Sequence, residues 1–269
     1  MSLLFRSEFC AALAPGRIEL TRLADGLRRR VEAWRRADLS PAAGKADCWR
    51  FVLDALASML QGDVAVRGRL KVVLSSHWVR FQVIPWNPEI ASPAEFAAYA
   101  RACFERVYGD AAADWEIRFD EARSGDGRMA CAIERELLDS IGRVTREAGC
   151  RLTGVQPYLM HAFNPLALPL GRRNFVFVLA EPGRVTLAAG DRGGWTSVRN
   201  CTATVDEGGL QALIERELEL ICGDGQPEVI VHAPRIVAND FACVDELGWK
   251  LVPAAGTNDY AMAWGTGAP

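Results

Sequence analysis

The chain has 269 residues, half of them hydrophobic and 24% charged, and its 31 basic and 34 acidic side chains leave a net charge of −3. That length holds one large domain or two of ordinary size with ample core, and the near-neutral balance gives no bulk field for nucleic acid. No apolar run approaches the roughly 18 residues a membrane helix needs, and Arg6 and Glu8 interrupt the opening apolar stretch, so no export signal is expected.

Leu3 to Leu23 reads as a hairpin, with an apolar run, a turn at Pro15-Gly16 and the alternating strand RIELTRL. RRRVEAWRR follows as a third strand or a short helix, its Arg28, Arg29, Arg30, Arg35 and Arg36 forming a solvated face; contact with phosphates or anionic lipid head groups is the rarer use of such a run. After a loop at Ser40 to Gly44, Asp47 caps an amphipathic helix from Cys48 to Leu60, with Phe51, Leu53, Leu56, Met59 and Leu60 expected on the buried side. Arg69 to Ser75 and His77 to Pro85 have strong strand propensity and are predicted to pair as a second hairpin. Ser92-Pro93-Ala94-Glu95 starts a helix that runs to about Tyr108, because it offers a hydroxyl cap, a first-turn proline and a glutamate at the third position. Trp115 to Phe119 is a strand, Ser124 to Gly127 a turn, and Arg128 to Ile133 a buried strand leading into a helix from Glu134 to Ala148 that Gly149 ends. CRLTGVQP is a strand, and Tyr158 to Gly171 carries the chain across to a second half.

That half opens as the first does. FVFVLA is apolar throughout, as a strand buried on both faces would be; Pro182-Gly183 turns, RVTLAAG returns, Asp191 to Gly194 turns again, and WTSVR leaves with alternation. A helix from Asp206 to Cys222, the strand EVIVHAP, a short segment to Leu247, the strand WKLVP and a glycine-rich tail complete the chain. Both hairpins carry a Pro-Gly-Arg turn and a hydroxyl on the returning strand (Thr21, Thr186), which fits two related halves; two short matches also arise by chance.

This order resembles the actin-like ATPase superfamily, in which a strand hairpin opens each lobe. Within it the chain is similar to the PilM, GspL cytoplasmic-domain and MshI-like assembly proteins of type IV pili and type II secretion. Four stretches carry the resemblance: the first hairpin; LKVVLSSHWVRFQVIPW with the helix SPAEFAAYARACFERVYG; RMACAIERELLDSIGRVTREAGCRLTGVQPYLMHAF; and the second hairpin. It implies an α/β, two-lobed actin-like (ribonuclease H-like) fold with mixed sheets. Residues 1–160 are then the first lobe with a small inserted subdomain at about 70–130, and 161–269 the second lobe. It further implies a cytoplasmic adaptor at the inner face of the inner membrane, which captures a segment of a membrane partner and relays to a secretion ATPase. Leu70 to Tyr108 belongs to the subdomain expected to take that segment.

In the enzymes of the superfamily the hairpin turns supply an acid and glycines for Mg²⁺ and phosphates, since backbone N–H groups must approach the phosphate closely. Here the first turn, Ala14-Pro15-Gly16-Arg17, has no carboxylate and a proline in place of one N–H donor. The second, Glu181-Pro182-Gly183-Arg184, has Glu181 as its one acid, and Ala233-Pro234 stands where an adenosine loop needs glycines. The nucleotide turns at Ala14, Gly16, Glu181, Gly183 and Ala233 are therefore degenerate, and no catalysis, cofactor or metal is expected. The alternative is an active ATPase or small-molecule kinase with divergent loops.

Other chemistry has less support. The eight cysteines lie scattered without a CxxC pair, as buried thiols of a reduced protein do, Cys131 and Cys222 on apolar faces; Cys150 and Cys201 have no nucleophile motif around them. His77, His161 and His232 lie far apart in sequence and read as satisfied or surface histidines. Asp139 and Asp120-Glu121 lack a nucleophile to serve, and Gly190 to Gly194 reads as a hairpin turn before an anion cradle. Trp78, Trp86 and Trp195 are core aromatics first and rim aromatics of a partner groove second.

Overall fold

The computed structural model describes residues 8–24, 30–39, 48–61, 66–170, 173–202, 207–222, 226–234, 248–254 and 261–265. Asp47, the loop at 40–44, Arg28 and Arg29, and the segment 235–247 lie outside these residues, as does most of the glycine-rich tail.

The opening hairpin is β1 (Glu8–Ala14) and β2 (Arg17–Ala24), and the arginine-rich stretch joins it as a strand, β3 (Arg30–Asp38). Helix α1 (Cys48–Gln61) follows, then β4 (Gly68–Leu74). The first sheet is completed by β8 (Cys150–Pro157), in the order β3-β2-β1-β4-β8. Helix α3 (Arg135–Glu147) packs beside α1 and β8. The second sheet contains β9 (Phe175–Glu181), β10 (Arg184–Asp191), β11 (Gly194–Thr202), β12 (Glu228–His232) and β13 (Lys250–Leu251), in the order β11-β10-β9-β12-β13. The two orders are one arrangement used twice: an antiparallel meander of three strands, then two strands added in parallel on the far side of the first. One irregularity recurs, because in each sheet the pairing of second and third strands slips by a bulge, at Leu20/Thr21 and at Ala189/Gly190; the slip at Leu70/Lys71 in the first sheet has no counterpart among the described residues.

The expected hairpin of Arg69 to Pro85 does not form. β4 carries Leu70, Val72, Val73 and Leu74, all buried, and a strand apolar on both faces belongs inside a sheet; it lies parallel between β1 and β8. The next strand, β5 (Val79–Ile84), instead starts a separate three-stranded sheet with β7 (Arg128–Glu134) and β6 (Trp115–Phe119), in the order β5-β7-β6. Helix α2 (Pro93–Tyr108) covers that small sheet. Its start is as expected: Ser92 accepts from Glu95 N–H, Glu95 accepts from Ser92 N–H, and Pro93 occupies the first turn. Phe96, Phe104 and Trp115 make this subdomain's own core.

On α1 the buried stripe is Trp49, Val52, Leu53, Leu56 and Leu60, at helical spacing. Phe51 lies off that stripe and is 48% exposed, so its expected burial is corrected, and Met59 is only half-buried. Tyr158 to Leu170 crosses between the sheets as α4 (Tyr158–Phe163), a 3₁₀ turn and α5 (Ala167–Leu170), helical structure that its prolines hid. β9 is buried along its whole length, as FVFVLA implied. One face of β9, with Phe175, Phe177 and Leu179, shares a continuous core with Leu13, Leu74 and Tyr158 of the first lobe. Its other face, Val176 and Val178, packs with Leu210 and Ile214 of α6 (Glu207–Cys222). A last short helix, α7 (Ala261–Trp264), returns to lie on β1 and β2.

Candidate functional site

The duplicated topology points both hairpin turns and the end of β12 at one place between the lobes. Ala14 and Arg17 from the first turn, Glu181 and Pro182 from the second, and Pro234 after β12 line the same space. Tyr158 and Met262 fill it from the side, and about 20 Å³ is left, room for roughly one water molecule. Ala233 points away, into the core under α6. Gly16 and Gly183 make the two turns; Gly183 needs glycine, since its φ of 78° is left-handed, whereas Gly16 serves to accept the Leu39 N–H at 2.9 Å.

Glu181, the one acid of these turns, is already engaged. It is buried, accepts from Ser75 Oγ at 2.5 Å and from Ser76 N–H at 3.0 Å, and so ties the second hairpin to the turn after β4. Burial pushes its pKa up, against the pull of those two serines. His77 Nδ1 lies 2.8 Å from Ser75 Oγ. Because the Ser75 hydroxyl donates its hydrogen bond to Glu181, His77 must donate to Ser75, which runs opposite to a nucleophilic triad, where the histidine accepts from the serine. Ser75 is also fully buried, so no substrate reaches it. Burial and the charges of Arg184 and Arg80 lower His77 to about 4. Asn200 on β11 extends this seam, donating to Ser76 C=O at 3.0 Å and accepting from Arg184 Nη1 at 3.2 Å.

The other two histidines are structural too. His232 Nδ1 faces Val252 C=O at 2.9 Å, so it carries the proton; Nε2 then accepts from Tyr158 O–H at 2.9 Å. His161 Nε2 donates to Ala263 C=O at 3.2 Å, leaving Nδ1 to accept from the Lys71 ammonium at 3.1 Å. Burial lowers both to about 4, as two neutral, satisfied rings require. Glu19, buried in the same region, accepts from Ala263 N–H at 3.0 Å.

Four of the described cysteines have thiols held in the protonated, poorly nucleophilic form. Burial drives Cys10 up to about 12 and Cys131 to about 11, and raises Cys150 and Cys201 as well. Cys150 Sγ also lies 3.1 Å from Val66 C=O as a donor. No group of three metal-ligating side chains exists among the described residues, and no described helix is long and apolar enough to cross a membrane. Gly190 to Gly194 is a hairpin turn, closed by an Asp191–Arg192 ion pair. Trp86 is exposed, Trp78 is half-buried, and Trp195 donates from Nε1 to Asp120 at 2.8 Å; Glu121 is exposed.

A wider opening lies elsewhere. Between the small subdomain and α3 runs a groove of about 780 Å³, bounded by Asp114 and Trp115 on one wall and by Asp139, Ser140, Arg143 and Arg146 on the other. Trp115 is the first residue of β6, an edge strand of its sheet. Asp139 thus sits in a groove, next to Ser140 on its wall. Leu70 to Tyr108, the stretch expected to belong to the binding subdomain, gives the groove none of its lining; the groove uses Ala111 to Trp115 and Glu134 to Arg146, and nothing in the spacing of β6 and α3 forecast their approach. The polar run Ser75-Ser76-His77 between two apolar strands was the one visible sign of the seam at Glu181.

This arrangement has solved counterparts. A Bacteroides thetaiotaomicron protein of actin-like ATPase fold and unknown function superposes with a TM-score of 0.63 at 8% identity, over 96% of this chain and 95% of that one. The fold is actin-like. The structure of the PilM–PilN complex of type IV pilus biogenesis matches this actin-like chain at a TM-score of 0.65 and 17% identity, covering 92% and 88% of the two chains. The cytoplasmic domain of EpsL, an inner-membrane component of the Vibrio cholerae type II secretion system, matches at 0.57 and 9%, covering 95% and 92%. No protein-family model and no curated protein sequence matches the chain.

Proposed function

We propose that this actin-like chain is a non-catalytic adaptor of a type IV pilus or type II secretion assembly platform, working at the cytoplasmic face of the inner membrane. In this reading it holds an extended segment of a membrane partner in the groove between the small subdomain and α3. The observation that carries the reading is the contrast between two spaces. The degenerate turns, through Ala14 and Glu181, line a gap of about 20 Å³, while the groove offers about 780 Å³ at the start of β6, an edge strand. An edge strand pairs with an extended peptide through its main chain, and the α3 side chains supply pockets, so no catalytic group is needed. The likeness to PilM in complex with PilN and to the EpsL cytoplasmic domain supports the choice of machine.

Two measurements test it together. Thermal unfolding with and without ATP and Mg²⁺ is expected to give the same midpoint; a dose-dependent rise revives the ATPase or kinase reading. Fluorescence anisotropy with labelled cytoplasmic segments of inner-membrane assembly proteins is expected to give saturable binding that Ser140→Trp abolishes. Binding that Ser140→Trp leaves intact removes the groove from the proposal.

A further inference from the structure

The small subdomain carries another recess, of about 270 Å³, at the start of α2. Trp86, Asn87 and Ile90 reach it from the segment after β5, Pro93 and Phe96 from α2, and Arg128 from the first position of β7. The groove lined by Ala111 and Trp115 opens past the other end of α2, a helix of 16 residues and so about 24 Å long. The two spaces are separate, and a ligand in one leaves the other free.

Arg128 is the one charged side chain in the wall of the recess among the described residues. It is half-buried, and its guanidinium carbon lies 4.2 Å from the centre of the Phe96 ring. Stacking of that kind uses the face of the guanidinium and leaves its N–H groups directed outward in the plane. Those groups make no hydrogen bond or ion pair among the described residues, and none of the side-chain nitrogens is shut off from solvent. Neither neighbouring acid pairs with them. Asp120, whose charge reaches Arg128, is spent on Trp195 Nε1 at 2.8 Å and on the backbone of Met129 and Asp120. Glu95, one residue before Phe96, accepts from the Ala91 and Ser92 N–H groups, both at 2.9 Å.

The result is a planar fork of donors, held in place by an aromatic ring and open to a ligand. Such a fork matches the two oxygens of a carboxylate. Asn87 Oδ1 accepts from Glu89 N–H at 3.0 Å, which fixes its amide and leaves N–H₂ as a further donor at the recess. Trp86, 45% exposed, stands beside these donors, and Ile90 and Pro93 add apolar surface. Tryptophan and arginine are the residue types that most often anchor protein interfaces. A pocket for a whole drug-sized ligand holds roughly 300–1,000 Å³, and this one is smaller, the size for a single side chain reaching in from a larger partner.

We propose that the recess is a docking site for a carboxylate of a protein partner, taken by Arg128 with an apolar neighbour of that carboxylate lying on Trp86 and Ile90. The carboxylate has two sources, an acidic side chain or a chain end.

The test follows the Trp86 indole N–H and Arg128 Nε–H signals of the full chain by NMR during titration. The probes are acetyl-Leu-Glu-Leu amide, acetyl-Leu-Gln-Leu amide, acetyl-Leu-Gln-Leu with a free carboxylate, and inorganic phosphate. The glutamate peptide is expected to shift both signals saturably and to bind at least about fivefold more tightly than its blocked glutamine counterpart. Arg128→Met, which keeps an apolar cover on Phe96 and removes the donors, is expected to bring the glutamate peptide down to the glutamine peptide's affinity. The free-carboxylate peptide binding as tightly as the glutamate peptide identifies a chain end as the source; weaker binding identifies an acidic side chain. Equal affinity for the two blocked peptides, no saturable shift at Trp86 and Arg128, or an unchanged Arg128→Met overturns the proposal. Tighter binding of phosphate than of either carboxylate overturns it in favour of a phosphate-bearing ligand. The comparison of blocked peptides on the wild-type chain holds whether or not the variant folds, and it leaves the groove reading untouched.

Discussion

Ser75 donates a hydrogen bond to Glu181 and accepts one from His77, and this short chain of hydrogen bonds fastens the second hairpin to the first lobe. Glu181→Gln keeps one acceptor oxygen but sets an amide N–H₂ against Ser75 or Ser76, leaving a buried donor unanswered; a loss of about 1–3 kcal/mol in chemical unfolding is expected. The pH dependence has a definite sign. His77, His161 and His232 sit near pKa 4, below the ordinary 6.5. Above 6.5 their contribution is complete; as pH falls from 6.5 towards 4 the unfolded chain takes up protons that the folded chain refuses, and stability is lost. Glu181 runs the other way, because its raised pKa keeps a proton that the unfolded chain releases above about 4.5, so its contribution fades as pH rises through that window. Thermal midpoints measured from pH 7 down to 4 should therefore fall more steeply in Glu181→Gln than in the wild type. The histidines' structural roles were legible in part, since they lie far from one another in sequence and only His77 has its partner, Ser75, close by. Their actual partners were not, because Tyr158 and His232 lie 74 residues apart and only the fold brings them together.

The turn at Ser124 to Gly127 was readable from composition, yet its purpose was not. A Cβ on Gly127 would meet Trp195 C=O at 2.5 Å and Val83 Cγ1 at 2.8 Å, so this turn lies flat against the second lobe. Gly127→Ala is expected to cost about 1–3 kcal/mol by overpacking and to loosen the small subdomain from β11, seen as faster hydrogen exchange in β5 and β7. Ser92→Ala, by contrast, removes only the cap of α2, and about 1 kcal/mol of stability should go with it. That helix was readable because its start is local chemistry. The pairing of β4 was misread for the opposite reason: two adjacent strands with a short gap look like a hairpin, and only the burial of both β4 faces, a tertiary fact, sends it to the middle of another sheet. Phe51 shows the same limit, since which turn of a helix faces inward is set by what packs on it.

Across the whole chain, the Pro-Gly-Arg turns did announce a repeated plan, and the two five-stranded sheets with matching orders and matching bulges carry it through. The α7 segment adds a constraint of its own. Ala263 N–H bonds to Glu19 across 244 residues, and Ala261 to Ala263 are buried against the opening strands. A chain cut before Ala261 should lose stability first in the first sheet, detectable as selective exchange of β1 and β2 amides rather than those of β9 and β10. Protein synthesis proceeds from the first residue onward, and domains generally fold as they emerge. Here the first sheet waits, with its lining strands uncovered, for a contact that the ribosome delivers 244 residues after Glu19.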